Sequence, residues 1–299
     1  VSTVLLTGAS GYVGGRLAPR LAGAADASDG ELRLLMRRPD RAKAPARATI
    51  AEGDAVSGDG LEAALDGVET AYYLIHSMGR GSGDDFEARD RRAAQNFGRA
   101  AAAAGVRRVI YLGGLSSDDA SSAHLRSRDE VAQRLGEQVP EFVHVRAAMV
   151  IGAGSASFQM LRALVRRLPA MVCPRWIDTR TQPIAIDDVV GALAALRGRH
   201  DVTGDVQLGG PRPLTYREMM GETADAMNRR RPLIVPVPVL TPRLSSYWVQ
   251  LVTPVESALV RPLIDGLREE MLVHEQPPAG INDDPRDFAT AVRAAIAGR

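Results

Sequence analysis

The chain has 299 residues, enough for one large domain or a core with a smaller lobe, and its 45% hydrophobic content is ordinary for a globular protein. A net charge of +1 excludes a general attraction to nucleic acid or anionic lipid, and no apolar run approaches the ~20 residues of a membrane span. Cys173 is the single cysteine, which excludes an internal disulfide and a cysteine metal cluster, so a cytoplasmic, reducing location and no metal are expected.

Residues 4–6 are a short apolar run, the length of one buried strand, so no signal peptide is expected before it. Gly8, Gly11 and Gly14 follow, in Thr7-Gly8-Ala9-Ser10-Gly11-Tyr12-Val13-Gly14. A helix is expected over 15–21, with Val13, Leu17 and Leu21 at spacing four. Strand, glycine turn and helix are the layout of a dinucleotide site. Glycine lets the backbone approach a pyrophosphate, and the helix N-terminus offers free N–H groups and partial positive charge. The spacing is G-x-x-G-x-x-G rather than the usual G-x-G-x-x-G; the alternative is a glycine-rich turn of an unrelated α/β fold. Gly8, Ser10, Gly11, Tyr12, Val13 and Gly14 are the expected cofactor turn.

A second strand over 31–36 ends at Arg37 and Arg38. An acidic residue there would suit a free ribose 2′-OH; arginine suits a 2′-phosphate, so NADP(H) is favoured over NAD(H). The alternative is that both arginines are solvated loop residues. A third strand over 48–52 leads to Asp54, a candidate acceptor for the adenine amino group, with Ala55 beside it. After a short helix over 61–65, a fourth strand over 70–75 brings Leu74, Ile75 and His76 to the carboxyl edge of the sheet, where ligands bind in such folds. A long helix over 86–104 stops at Gly105, and a fifth strand over 108–112 is broken at Gly113-Gly114. A helix over 125–135 and a sixth strand over 142–145 complete an alternation that argues for an α/β fold, a doubly wound parallel sheet of Rossmann type.

The pattern changes after Gly152. A helix over 158–168, an extended segment over 171–177 and a return over 184–189 are expected, the last with Asp187 or Asp188 as helix N-cap. A last strand falls over 206–210. Prolines rule out a continuous helix over 232–242, and helices are expected over 245–251 and 259–272. The core is thus expected over 1–152, completed by about 183–210, with a substrate lobe made of 153–182 and 211–299. Trp248, Tyr247, Trp176 and Met160 are candidates for an apolar pocket there or for the core of that lobe.

These residues resemble the short-chain dehydrogenase/reductase superfamily, in its extended and atypical branches. More narrowly, the chain is similar to the NmrA-like proteins and the NAD(P)H-binding, sugar-nucleotide-epimerase-like group. The resemblance rests on Gly8 to Gly14, Gly53-Asp54, the strand before Gly113, 146–152, 183–189 and Gly209-Gly210-Pro211. It implies a serine, a tyrosine acid and a ribose-holding lysine in Y-x-x-x-K. This chain departs from that pattern: Lys43 is its only lysine, and none of its six tyrosines has a lysine four residues later. Where the pair should fall stand His124 and Arg128, and Gly114 takes the place of the serine, with Ser116 and Ser117 just beyond.

Positions four apart share a helix face. His124 is therefore the candidate acid, Arg128 the candidate ribose ligand and Ser116 the candidate oxyanion donor; Arg128 stays protonated and is no base. His76 is a second acid candidate. His144 falls in a strand and reads as a sheet residue. The resemblance implies an NADP(H)-dependent oxidoreductase acting on a carbonyl or enone of a small, moderately apolar molecule. The alternatives are a non-catalytic NADP(H)-binding redox regulator, for which the missing triad speaks, and a sugar-nucleotide epimerase or dehydratase. Assembly as a homodimer is left open.

Overall fold

The computed structural model describes residues 3–23, 31–39, 44–77, 86–115, 123–237, 264 and 266–298; for Ala123 and His124 it describes the backbone alone. Short apolar runs form strands and longer alanine-, leucine- and arginine-rich runs form helices, in alternation. In order these are β1 (Thr3–Thr7), α1 (Tyr12–Gly23), β2 (Leu32–Met36), β3 (Ala48–Glu52), α2 (Leu61–Leu65), β4 (Val68–Tyr73), α3 (Phe86–Ala103), β5 (Arg108–Gly114), α4 (Ala123–Gly136) and β6 (Glu141–Ala147). There follow β7 (Val150–Ile151), α5 (Ala156–Arg167), β8 (Ala170–Pro174), β9 (Arg180–Thr181), β10 (Ile184–Ala185), α6 (Ile186–Ala195), β11 (Gly204–Leu208), β12 (Leu214–Thr215), α7 (Tyr216–Ala226), β13 (Leu233–Val237) and α8 (Phe288–Ile296).

Seven strands form one sheet in the order β3-β2-β1-β4-β5-β6-β11, and every pairing in it is parallel. The order reverses between β1 and β4, which opens a crevice at the carboxyl ends of these strands. Both faces are covered. Val4, Leu6, Tyr72 and Ile110 pack with α1 and α6 on one face, and Leu5, Tyr73 and Val109 pack with α3 and α4 on the other. Successive strand residues point to opposite faces, so a doubly covered strand must be apolar throughout. A third cluster, including Phe158, Leu164, Cys173, Ile177, Met219 and Val292, lies among α5, β8, α7 and α8.

Arg108 lies at the opposite, amino-terminal end of β5. Its side chain is 0% exposed and donates to Glu141, to the Arg199 carbonyl at 2.8 Å and to the Val202 carbonyl at 2.9 Å. It thereby joins β5, β6 and the turn that leads into β11.

Several expectations are corrected. The fifth strand is not broken at Gly113-Gly114: the register continues with Gly113 opposite Arg146 and Gly114 opposite Ala147, so pairing with β6 outweighs the weak strand preference of glycine. Neither Asp187 nor Asp188 caps α6. Ala185 holds that position, and both carboxylates sit in the first turn, where they complement the helix dipole. Asp188 accepts from the Arg286 backbone N–H at 2.8 Å, and Asp187 pairs with Arg286 and with Arg16. The extended segment ends at Pro174, and Arg175–Asp178 is a 3-10 turn. The helix expected to reach 272 is over by Leu267, and Met271 bridges to Thr181. The helix expected over 245–251, with Tyr247 and Trp248, lies outside the described residues.

Two helices are additional to those read from the sequence. Thr215 and Glu218 cap α7 reciprocally, and Asp287 caps α8 by accepting from the Thr290 N–H at 2.8 Å. No helix among the described residues is long and apolar enough to cross a membrane.

Candidate active site

The crevice begins at the turn after β1. Gly8 has φ +69°, a left-handed conformation that L side chains rarely adopt, and a Cβ there would lie 2.6 Å from the Leu74 carbonyl oxygen. The Gly11 N–H donates to the Gly8 carbonyl at 2.8 Å, and the chain enters α1 at Tyr12. A Cβ on Gly14 would lie 2.3 Å from the Gly8 carbonyl oxygen. The first turn of α1 therefore rests directly on the glycine turn and aims its free N–H groups at the crevice mouth. Thr7, which the sequence reading did not single out, stitches the rim together. Its buried hydroxyl donates to the Tyr72 carbonyl and accepts from the Leu74 N–H, each at 3.0 Å.

One cavity of about 670 Å³ extends from this turn. Gly8, Gly11, Tyr12, Val13, Gly14, Leu74 and His76 line one end, and Leu112, Gly113, Gly114 and Arg128 line the middle. Met160, Leu164, Trp176, Tyr216, Met220 and Leu267 form an apolar wall at the other end. Of the four candidates for an apolar pocket, Trp176 and Met160 line this wall. Tyr12 links the two regions: a Cβ on Gly154 would lie 2.4 Å from its ring and one on Gly152 2.1 Å from its hydroxyl oxygen, so glycine at both positions admits the ring. Arg16 stands over the same ring, 5.2 Å from its centroid.

The remaining expected cofactor residues divide. Arg37 and Arg38 are exposed beyond β2, and Arg37 faces Asp54 beyond β3 with 4.0 Å between charged atoms. Asp54 also accepts from the Val56 N–H at 2.8 Å. Ala55 is buried under this loop, its carbonyl accepting from the Asn96 amide at 3.1 Å. Ser10 is exposed at the tip of the turn and does not line the cavity. Ile75 packs instead into the core on the α3–α4 face.

On the acid–base side, Arg128 is half-buried at the cavity wall and donates to the Leu112 carbonyl at 3.1 Å and to the Tyr111 hydroxyl. Behind it lies Asp90, 8% exposed, which accepts from the Ser77 N–H at 2.7 Å. Burial raises the Asp90 carboxyl, against the opposing pull of the Ser77 hydrogen bonds and the Arg128 charge. Burial also pushes the Tyr111 phenol up to about 12. His124 is the second residue of α4, one helical turn before Arg128; its side chain, like Ser116 and Ser117, lies outside the described residues.

At Gly114 a Cβ would meet the Leu125 side chain at 3.2 Å, so a side chain there would need Leu125 to shift slightly. His144 is a sheet residue, stacked on Tyr111 with ring centroids 5.2 Å apart and with its Nδ1 3.1 Å from Asp205. The sequence reading missed Tyr216, although Thr215-x-x-Glu218 is a capping-box signature that would have placed it at a helix start.

A family model described as NAD(P)H-binding matches residues 8–148. Over 236 residues the chain is 29% identical to (4-alkanoyl-5-oxo-2,5-dihydrofuran-3-yl)methyl phosphate reductase from Streptomyces griseus, covering 76% of this chain and 74% of that protein. Similar solved structures include Citrobacter sp. triphenylmethane reductase complexed with NADP(H), with TM-score 0.75, 17% identity and coverage of 98% of this chain and 99% of that one. An NADPH-dependent quinone oxidoreductase from Escherichia coli matches with TM-score 0.77 and 19% identity over 97% and 98%. A nucleoside-diphosphate-sugar epimerase from Staphylococcus aureus matches with TM-score 0.74 and 18% identity over 97% and 99%. At these identities the structural likenesses concern the fold.

Proposed function

We propose that the chain is an NADP(H)-dependent reductase of the atypical short-chain dehydrogenase/reductase type, acting on a carbonyl or enone in a small, moderately apolar molecule; the NAD(P)H-binding family model over residues 8–148 and the reductase relative support this reading. The observation that carries this reading is one continuous cavity that runs from the glycine turn past Arg128 to the apolar wall. The turn fits a pyrophosphate, since its glycines sit where side chains would collide with backbone and the N-terminus of α1 faces the opening. The relative from Streptomyces griseus is named for a substrate that carries a ring oxo group and an alkanoyl group, which supports a carbonyl compound as the substrate class.

When bound, the reduced nicotinamide supplies the hydride that adds to the electrophilic carbon. Arg37 holds the 2′-phosphate, and Asp54 the adenine amino group. Arg128 binds the ribose hydroxyls, its position fixed by the Leu112 carbonyl and its charge balanced by Asp90. His124, one turn earlier on α4, gives a proton to the substrate oxygen as its carbon is reduced.

The test is a titration with NADPH and NADH by nicotinamide fluorescence, followed by NADPH oxidation with a panel of ketones and enones. NADPH is expected to bind the more tightly. His124→Ala is expected to lower turnover by about 10²- to 10⁴-fold, the usual worth of a general acid, with NADPH affinity unchanged. A fully active variant would remove His124 as the acid. The second reading, a non-catalytic redox regulator, is favoured by the lack of a Y-x-x-x-K pair, since Lys43 is the only lysine of the chain; tight NADPH binding without oxidation by any compound of the panel would select it.

A further inference from the structure

We infer that Tyr216 and Trp176 form a pair of hydrogen-bond donors that recognises a second, uncharged oxygen acceptor on the substrate, at the apolar end of the cavity. The inference deepens the proposed reductase reading and rests on that cavity being the substrate site.

Both residues line the cavity, and both hold a buried polar atom, the Tyr216 hydroxyl and the Trp176 Nε1, with no hydrogen-bond partner among the described residues. Tyr216 is 3% exposed. Buried side-chain polar atoms in folded proteins are overwhelmingly paired, so two orphans on one wall call for an account. The two rings meet edge to face, 6.1 Å between centroids and 86° between planes.

Neither side chain is loosely held. Tyr216 is the first residue of α7, directly after the capping box of Thr215 and Glu218. Trp176 sits in the turn Arg175–Asp178, which Arg217 anchors through two bonds to Asp178 at 2.7 and 3.1 Å. Among the described residues the apolar wall includes Met160, Leu164, Met220, Leu267 and Met271, whose side chains offer no strong acceptor.

The chemistry of the two groups selects the ligand. The indole N–H only donates, and burial raises the Tyr216 phenol, so it keeps its proton and donates as well. Among the described residues no arginine, lysine or histidine lines this end, so they offer an anion no counter-charge. What fits is a neutral carbonyl, ester or ether oxygen on an apolar body. The substrate then carries two oxygen functions: one reduced beside Arg128, one held by Tyr216 and Trp176.

The experiment measures binding of 1-tetralone and of its hydrocarbon counterpart tetralin by calorimetry, with and without NADP⁺. The wild-type chain is expected to prefer the ketone by about fivefold to tenfold, the range of one or two net hydrogen bonds. Tyr216→Phe and Trp176→Phe should each narrow that ratio while tetralin and NADPH bind as before. Tyr216→Phe should also keep or raise Tm, because it deletes an unpaired oxygen. An unchanged ratio in both variants, equal binding of the two probes to wild type, no binding of either, or a clear fall in Tm for Tyr216→Phe would each overturn the inference. A chain that fails to bind NADPH yet shows the Tyr216-dependent ketone preference would refute the reductase reading and leave the donor pair standing.

Discussion

Arg37 is the side chain on which the proposed preference for NADPH rests. It is about half exposed and its pairing with Asp54 spans 4.0 Å, so that pair contributes at most about 1 kcal/mol in water. A 2′-phosphate offers more charge and a bidentate geometry and displaces the carboxylate readily. Arg37→Ala is expected to weaken NADPH by about tenfold to a hundredfold, the worth of one charge-assisted hydrogen bond, and to leave NADH nearly unchanged. Dissociation constants for both nucleotides check this, and equal losses would refute the preference for the phosphorylated cofactor. The position of Arg37 was legible in the sequence because it immediately follows the apolar run of β2. Thr7 was not: its importance lies in bonds to Tyr72 and Leu74, more than sixty positions away.

Among the elements, α1 is tightly constrained by the glycine turn. Its seat on the Gly8 carbonyl leaves no room for a methyl group at Gly14, and the obstructing atoms are backbone, which cannot rotate aside. Gly14→Ala is expected to lift the helix start off the turn, costing about 1–3 kcal/mol as overpacked sites do. A matched fall in chemical-denaturation midpoint and in NADPH affinity would show it; a variant with wild-type affinity would show that the helix start does not hold the phosphates. The same close fit explains why three spaced glycines after an apolar run were readable as a site. The path of β5 through Gly113-Gly114 was not readable, because residue preference opposes it and only the partner strand imposes it.

For the molecule as a whole, one contribution to stability in acid lies at the far end of the sheet. Glu141 accepts hydrogen bonds from His200, Arg107 and Arg108, and these hold its carboxyl at about 2 against burial that would raise it. A depressed carboxyl stabilises the fold fully above its unfolded value near 4.5 and loses that contribution as pH falls toward 2. Tm is therefore expected to drop between those values, and Glu141→Gln should be less stable at pH 7 and show a flatter acid limb. An identical acid limb in the variant would assign the loss to other carboxylates. This site lies at the amino-terminal edge of the sheet, opposite the crevice, so the variant is expected to bind NADPH as wild type does.

The amino-acid sequence by itself determined the half of the site that is local. A strand, a glycine turn and a helix within fifteen residues meet steric and electrostatic demands that neighbours in the chain satisfy together, and so they announce a dinucleotide site without any knowledge of the fold. The alternation of strands and helices determined the parallel sheet in the same way. Only the tertiary structure decided the other half. The apolar wall draws Met160, Trp176, Tyr216, Leu267 and Met271 from separate segments spread over more than a hundred positions. Which of these side chains turn toward the cavity depends on packing among α5, α7 and the chain after Ile264, and not on spacing along any one of them. The same is true of the two donors that find no partner among the described residues, since pairing depends on which segments the fold brings beside them.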